Sequence, residues 1–294
     1  MSEASTYLNL GCGRRYHPDW INIDVTPKGP DVIRYDLSLG IPLSDLSVDV
    51  VYHSAVLEHM RREDATAFMA ECYRVLKFGG IVRVGVPDLE KICQLYLSRL
   101  VGALNGDEEA RHDYDWIMLE LFDQTVREKS GGDMMEYLRQ NPLPNEKFVY
   151  ERIGEEGRQL VQALRSRDSA IWNAEQGPFT AQDFLHKLRM GVRTLQGAAK
   201  RHILGWLLGA EGRRALDIGH FRLAGEVHQW MYDRYSLARL LSLIGFHDPQ
   251  LQDARTSRIP NWTNFNLDTL PDGSVIKPDL FFMEAIKPGA GNHD

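Results

Sequence analysis

Cysteine is scarce in this 294-residue chain: there are three, Cys12, Cys72 and Cys93, and none has a partner at metal-site spacing. That excludes a disulfide framework and suits a reducing, cytoplasmic setting. Long apolar runs are missing as well. The longest in the C-terminal half, Ile203–Ala210, falls far short of a bilayer span. The opening Met-Ser-Glu-Ala-Ser-Thr has neither a basic nor an apolar region, so no secretory signal is expected. Positive charge is in deficit. A net charge of −7 gives no overall field that would favour nucleic acid. What remains is a soluble composition, 43% hydrophobic and 26% charged, long enough for one large α/β domain or a core with an insertion.

Between Tyr7 and Val86, short apolar runs alternate with polar connectors. Tyr7–Leu10, Ile21–Val25, Asp31–Tyr35, Val48–Tyr52 and Ile81–Val86 are predicted strands, β-branched and often apolar on consecutive residues. Strands of that kind are buried on both faces, as in a parallel sheet covered by helices. Arg62–Lys77 carries Ala65, Phe68, Cys72 and Leu76 at helical spacing, with Gly79-Gly80 as the stop signal. The pattern predicts a doubly wound α/β sheet.

After Pro87 the character turns helical. Helices are predicted over Asp107–Lys129, over Glu146–Arg167 and from Thr180, where Thr-Ala-Gln-Asp resembles a capping box. Strand patterns return at His247–Ala254 and Leu280–Ile286, after a helical Ser236–Leu243. The expected organisation is therefore a core of residues 1–90 and 227–288, a helical insertion or lid over 91–226, and a disordered tail over 289–294.

The chemistry concentrates at the strand ends. Leu8-Asn9-Leu10-Gly11-Cys12-Gly13 is a strand running into a Gly-x-Gly turn, where a ligand can approach the backbone. The second strand ends on Asp24, followed by Val25, and the third leads into Asp36-Leu37. A glycine turn and two acids at the carboxyl ends of parallel strands describe a nucleoside site, although each acid alone also fits a solvated loop. A dinucleotide is disfavoured: the third fingerprint glycine is Tyr16, and Gly11–Trp20 barely accommodates a helix to hold a pyrophosphate. An S-adenosyl cofactor has no phosphate to hold.

Asp49-Val50-Val51-Tyr52, Val56-Leu57-Glu58-His59 and Arg74-Val75-Leu76-Lys77-Phe78-Gly79-Gly80, in that order, resemble the fourth- and fifth-strand motifs of class I S-adenosylmethionine-dependent methyltransferases. The resemblance covers Tyr7–Glu90 and is strongest to the small-molecule branch that includes quinone-biosynthesis enzymes. It implies a Rossmann-like seven-stranded sheet ending in an edge hairpin, here with a large helical insertion after strand five. The segments His228–Ser236 and Lys277–Phe282 are similar to predicted bacterial methyltransferases linked to surface-polysaccharide biosynthesis.

By that resemblance Gly11, Cys12 and Gly13 line the methionine part of S-adenosyl-L-methionine, and Asp24 with Val25 holds the ribose. Asp36 and Leu37 flank the adenine, and His53 and Ser54 face the sulfonium. This chain departs from the pattern at Asn9, where an acid is common, and at Arg15, where a glycine is. Either Arg14 or Arg15 has the charge to pair with the methionine carboxylate. Methyl transfer is a direct displacement, and a hydroxyl acceptor needs a base of near-neutral pKa. His59, His53, Glu58 and Asp88 are the candidates, while Glu58-His59 also fits an ordinary helix start.

Related O-methyltransferases bind a divalent ion through Glu-x-x-Glu-His. Ala55 stands at the first position, and two ligands rarely make a site, so no metal is expected. The expected function is methylation of a small molecule or glycan, with oxygen as the acceptor atom. A non-catalytic subunit of the same fold that binds a partner or glycan is the alternative. Between His186 and Arg214 seven bases face one acid, Glu211, on a pattern of amphipathic helix. That face suits either a solvated lid or an anionic, lipid-linked acceptor with peripheral membrane contact.

Overall fold

The computed structural model describes residues 5–165 and 209–289. Its strands are β1 Tyr7–Leu10, β2 Ile21–Asp24, β3 Val32–Arg34, β4 Val48–Ser54, β5 Leu76–Pro87, β6 His247–Gln252 and β7 Leu280–Ile286. They form one sheet in the order β3-β2-β1-β4-β5-β7-β6. The first five are parallel; β7 runs antiparallel to both β5 and β6. The expected α/β architecture with an edge hairpin is the observed one.

One face is covered by α1 Arg62–Val75 and by a later helix, Arg234–Ile244. Ala65, Phe68, Met69, Cys72 and Val75 recur every three to four residues on α1 and pack with Leu237 and Leu241 over Leu8, Leu10, Val51 and Val84. Each large aliphatic side chain buried there contributes roughly 1.5–3 kcal/mol. The opposite face carries an aromatic cluster: Trp20, Val50 and Tyr52 meet Ile259, Trp262 and Leu267 from the β6–β7 connection. A loop with one short turn, Trp262–Phe265, thus does the covering there.

No helix separates β1 from β2. Two buried asparagine amides hold that connection instead. Asn9 Nδ2 donates to the Arg15 carbonyl (2.8 Å) and to Asn22 Oδ1 (3.2 Å). Asn22 Nδ2 donates to the carbonyls of His17 (2.8 Å) and Trp20 (2.9 Å).

Two predicted boundaries move. The helix expected to stop at Gly79-Gly80 ends at Val75, and β5 begins at Leu76. Lys287, buried beyond β7, donates to the carbonyls of Tyr73 (2.7 Å) and Leu76 (2.8 Å) and so closes the helix end. The single helix expected over Asp107–Lys129 is α-helical over Glu108–Met118, widens to a π turn over Leu119–Asp123, and stops after Val126. Asp123 draws the chain back there, accepting from the Arg127 guanidinium and the Asp133 amide, both at 2.7 Å.

The helices after β5 have a core of their own, with Ile92, Trp116, Ile117, Leu138, Phe148 and Val149. The helix Glu146–Arg165 kinks at Gly154, whose φ is +61°; a Cβ there would lie 2.4 Å from the Ile276 carbonyl. The predicted helix at Thr180, the basic stretch from Lys187 to Arg201 and most of the tail lie outside the described residues. Among the described residues, no helix is long and apolar enough to cross a membrane.

Candidate functional site

A cavity of about 350 Å³ opens at the carboxyl ends of β1 and β4. The turn Gly11–Arg15 forms one wall, Tyr52, Ser54 and Ala55 the floor, Glu156 and Gln159 of the kinked helix a second wall, and Asp268, Ile276 and Lys277 the far side. Gly11 is required twice over: its φ is +62°, and a Cβ would meet a Val56 methyl at 2.5 Å. Ala55 holds a left-handed φ of +55° without being glycine. Such strain at a strand end is a frequent mark of a working site.

Asp24 sits at the end of β2, where its Oδ2 accepts the Gly13 amide (2.8 Å) and its Oδ1 the Thr26 amide (2.7 Å). The acid therefore shapes the glycine turn it stands beside. Val25 is exposed next to it. Burial, with the Asp24 charge adding to it, pushes the Cys12 thiol up to about 12, which keeps it neutral. Asp36 is exposed and caps the short turn Leu37–Leu39, accepting the Ser38 amide at 3.0 Å.

The sequence candidates for catalysis separate into two groups. His53 points away from the cavity: it is fully buried under α1, edge-on to Phe68 at 5.1 Å, with neither ring nitrogen partnered. The reason is strand alternation, which turns Tyr52 and Ser54 to the cavity and His53 to the opposite face. Burial holds its imidazole down to about 3. Asp88 is likewise removed; it caps the helix Leu89–Leu104 by accepting the Lys91 amide at 2.9 Å.

Glu58 and His59 stay together on the turn after β4, and His228 joins them. The turn is fixed by the Glu58 carbonyl, which accepts the Gln229 amide at 2.7 Å, while the His228 amide donates to the Gln124 carbonyl at 2.9 Å. The His59 and His228 rings stand nearly perpendicular, 4.8 Å apart. Burial lifts the Glu58 carboxyl to about 7. Burial lowers His59, and burial with the neighbouring His59 takes His228 down to about 3. Lys277, which lines the cavity, acts electrostatically on all three. Sequence reasoning missed His228, Lys277 and Asp268, since no spacing links them to the strand ends.

Residues 8–84 match a family described as a methyltransferase domain. That segment ends within β5 and contains the glycine turn, Asp24 and the Glu58-His59 turn. A probable S-adenosylmethionine-dependent methyltransferase of Mycolicibacterium smegmatis is 36% identical over 98 residues, 28% of this chain and 37% of that protein. The match thus spans well under half of the curated relative. A solved SAM-dependent methyltransferase from Archaeoglobus fulgidus aligns over 97% of this chain and 87% of its own at 10% identity, with a TM-score of 0.37. The 1,6-didemethyltoxoflavin-N1-methyltransferase of Burkholderia thailandensis aligns over 29% and 45% at 14% identity, with a TM-score of 0.25.

Proposed function

We propose that the chain is an S-adenosylmethionine-dependent methyltransferase. The observation that carries this is the match over residues 8–84, whose glycine turn frames the cavity at the ends of β1 and β4. In this reading Gly11, Cys12 and Gly13 follow the methionine part and Asp24 takes the ribose hydroxyls. Arg14, Arg15 and Lys277 supply a cationic lip for the carboxylate. Asp36 and Leu37 lie further along for the adenine. The protein's part in the reaction is to align methyl and nucleophile and to exclude water.

The acceptor we infer is a small molecule or glycan methylated at oxygen, anionic or lipid-linked and met in the cytoplasm. Its support is the resemblance of the C-terminal segments and the basic composition of residues 186–214. One observation favours a second reading, a non-catalytic subunit: Asn9 replaces an acid and is committed to bracing the β1–β2 connection.

Calorimetry on the full chain tests the cofactor. S-adenosylhomocysteine is expected to bind, and Asp24→Ala to weaken it roughly 10- to 150-fold, the equivalent of losing about 1.5–3 kcal/mol of charge-assisted bonding. Binding of NADH instead, or indifference to the substitution, would sink the assignment. Binding without turnover of any sugar or small-molecule acceptor would favour the second reading.

A further inference from the structure

We propose that Glu58, His59 and His228 form a binding site for a divalent first-row transition-metal ion. Their potential ligand atoms all lie within 4.8 Å of one another. This revises the expectation of no metal, which counted two ligands on one turn. The third arrives from 169 positions away, where the chain returns from the helical region to the sheet.

The donor atoms themselves make the case. Glu58 Oε2, His59 Nδ1 and His228 Nδ1 are buried, and none has a hydrogen-bond partner. Glu58 and His228 are 1% and 6% exposed, so solvent does not satisfy them from outside. The His59 ring hydrogen-bonds to the Val227 carbonyl. The His59 Nδ1 is the ring nitrogen left without a partner, on the side shared with Glu58 and His228. A backbone carbonyl in this role is the usual outer support of a metal-bound histidine, fixing its tautomer and ring plane. Three buried polar atoms that face one another without a hydrogen-bond partner are costly, and one bound cation would satisfy all three.

The surroundings agree. The neighbouring cations have carboxylates of their own. Arg127 pairs with Asp123 at 2.7 Å and Glu226 at 3.1 Å, and Lys277 lies 3.7 Å from Glu156. Two imidazoles and one carboxylate suit zinc, iron, cobalt or manganese, and are a poor match for magnesium or calcium, which take mainly oxygen. Three protein ligands leave positions for water or an acceptor oxygen. That last role rests on the methyltransferase reading; the site does not.

The test is metal binding by the full chain after dialysis against a chelator. Calorimetry with Zn²⁺ and the visible spectrum with Co²⁺ are expected to report about one equivalent, with Mg²⁺ failing to compete. His228→Ala and His59→Ala should each weaken binding more than about 100-fold, beyond the roughly 10- to 100-fold cost of losing an outer-shell partner. His228→Gln, which keeps most of the side-chain bulk, should bind as poorly as His228→Ala while melting within a few degrees of the parent. No Zn²⁺ uptake by the parent chain overturns the proposal. So does uptake that persists undiminished in His228→Gln. Cofactor binding, measured separately with S-adenosylhomocysteine, reports on the methyltransferase reading alone.

Discussion

Two buried clusters of charged and polar groups flank the sheet, and they are built on opposite principles. On the aromatic face, Arg83 is fully buried and every N–H of its guanidinium is engaged. Nε and Nη2 donate to Asp268, Nη1 to Glu284, and the remaining N–H groups to the carbonyls of Thr256 (2.9 Å) and Asp253 (2.8 Å). Asp268 also accepts from Tyr52, and Glu284 from Ser257 and the Arg258 amide. Trp262 and Phe282 sandwich the guanidinium at 4.3 and 4.5 Å. At the Glu58–His59–His228 cluster the equivalent atoms face one another unpartnered. A saturated network fixes a loop in place; the unsaturated cluster is the one the proposed ion would complete.

Three changes break or sharpen that contrast. The largest effect is expected from Arg83→Met, which leaves Asp268 buried without its ion-pair partner and Glu284 with only the Arg258 guanidinium, 3.7 Å away. Chemical denaturation should show a loss of about 3–5 kcal/mol. A loss below about 1 kcal/mol would mean the network is dispensable.

His53→Leu comes next, because His53 is unsatisfied like the three-residue cluster yet faces only hydrocarbon. Its folded imidazole stays neutral down to about 3, whereas the unfolded chain takes up a proton near pH 6.5. The unfolded state therefore binds the extra proton, and stability falls with falling pH by about 1.4 kcal/mol per unit through that window. The leucine variant should lack this contribution and gain about 2 kcal/mol on the parent between pH 7.5 and pH 5. Parallel pH profiles for the two proteins would contradict the placement of His53.

The smallest effect is reserved for Ser257→Ala, at the margin of the saturated network. Losing one hydroxyl that donates to Glu284 should cost about 1 kcal/mol in the same denaturation assay. A cost as large as that of Arg83→Met would show that the network has no periphery.

Much of this architecture was legible beforehand, and the failures share a cause. The strands β1, β2, β4, β5 and β7 stood out because buried strands concentrate β-branched and apolar residues, whereas β6 is a largely exposed edge strand. The glycine turn and Asp24 were legible because a tight turn and a strand end depend on adjacent residues. The end of α1 was not: its capping group is the Lys287 ammonium, 214 positions from Tyr73. His53 was misplaced by a single step of strand alternation, since an alternating register tells which residues share a face but not which face holds the ligand. His228 was visible as a residue and invisible as a partner, because only the return of the chain at Val227 brings it to His59.

The position of β7 has a consequence for how the protein comes into being. The last of the described strands in chain order, β7, lies inside the sheet, between β5 and β6. Until Leu280–Ile286 has left the ribosome, β5 presents an open edge and Arg83 has no Glu284 to meet. The helix capped by Lys287 stays unsealed for the same interval. Synthesis from the N-terminus therefore yields the cofactor half of the molecule early but cannot finish it early. Until the β6–β7 hairpin pairs with it, the open edge of β5 is a site for wrong strand pairing.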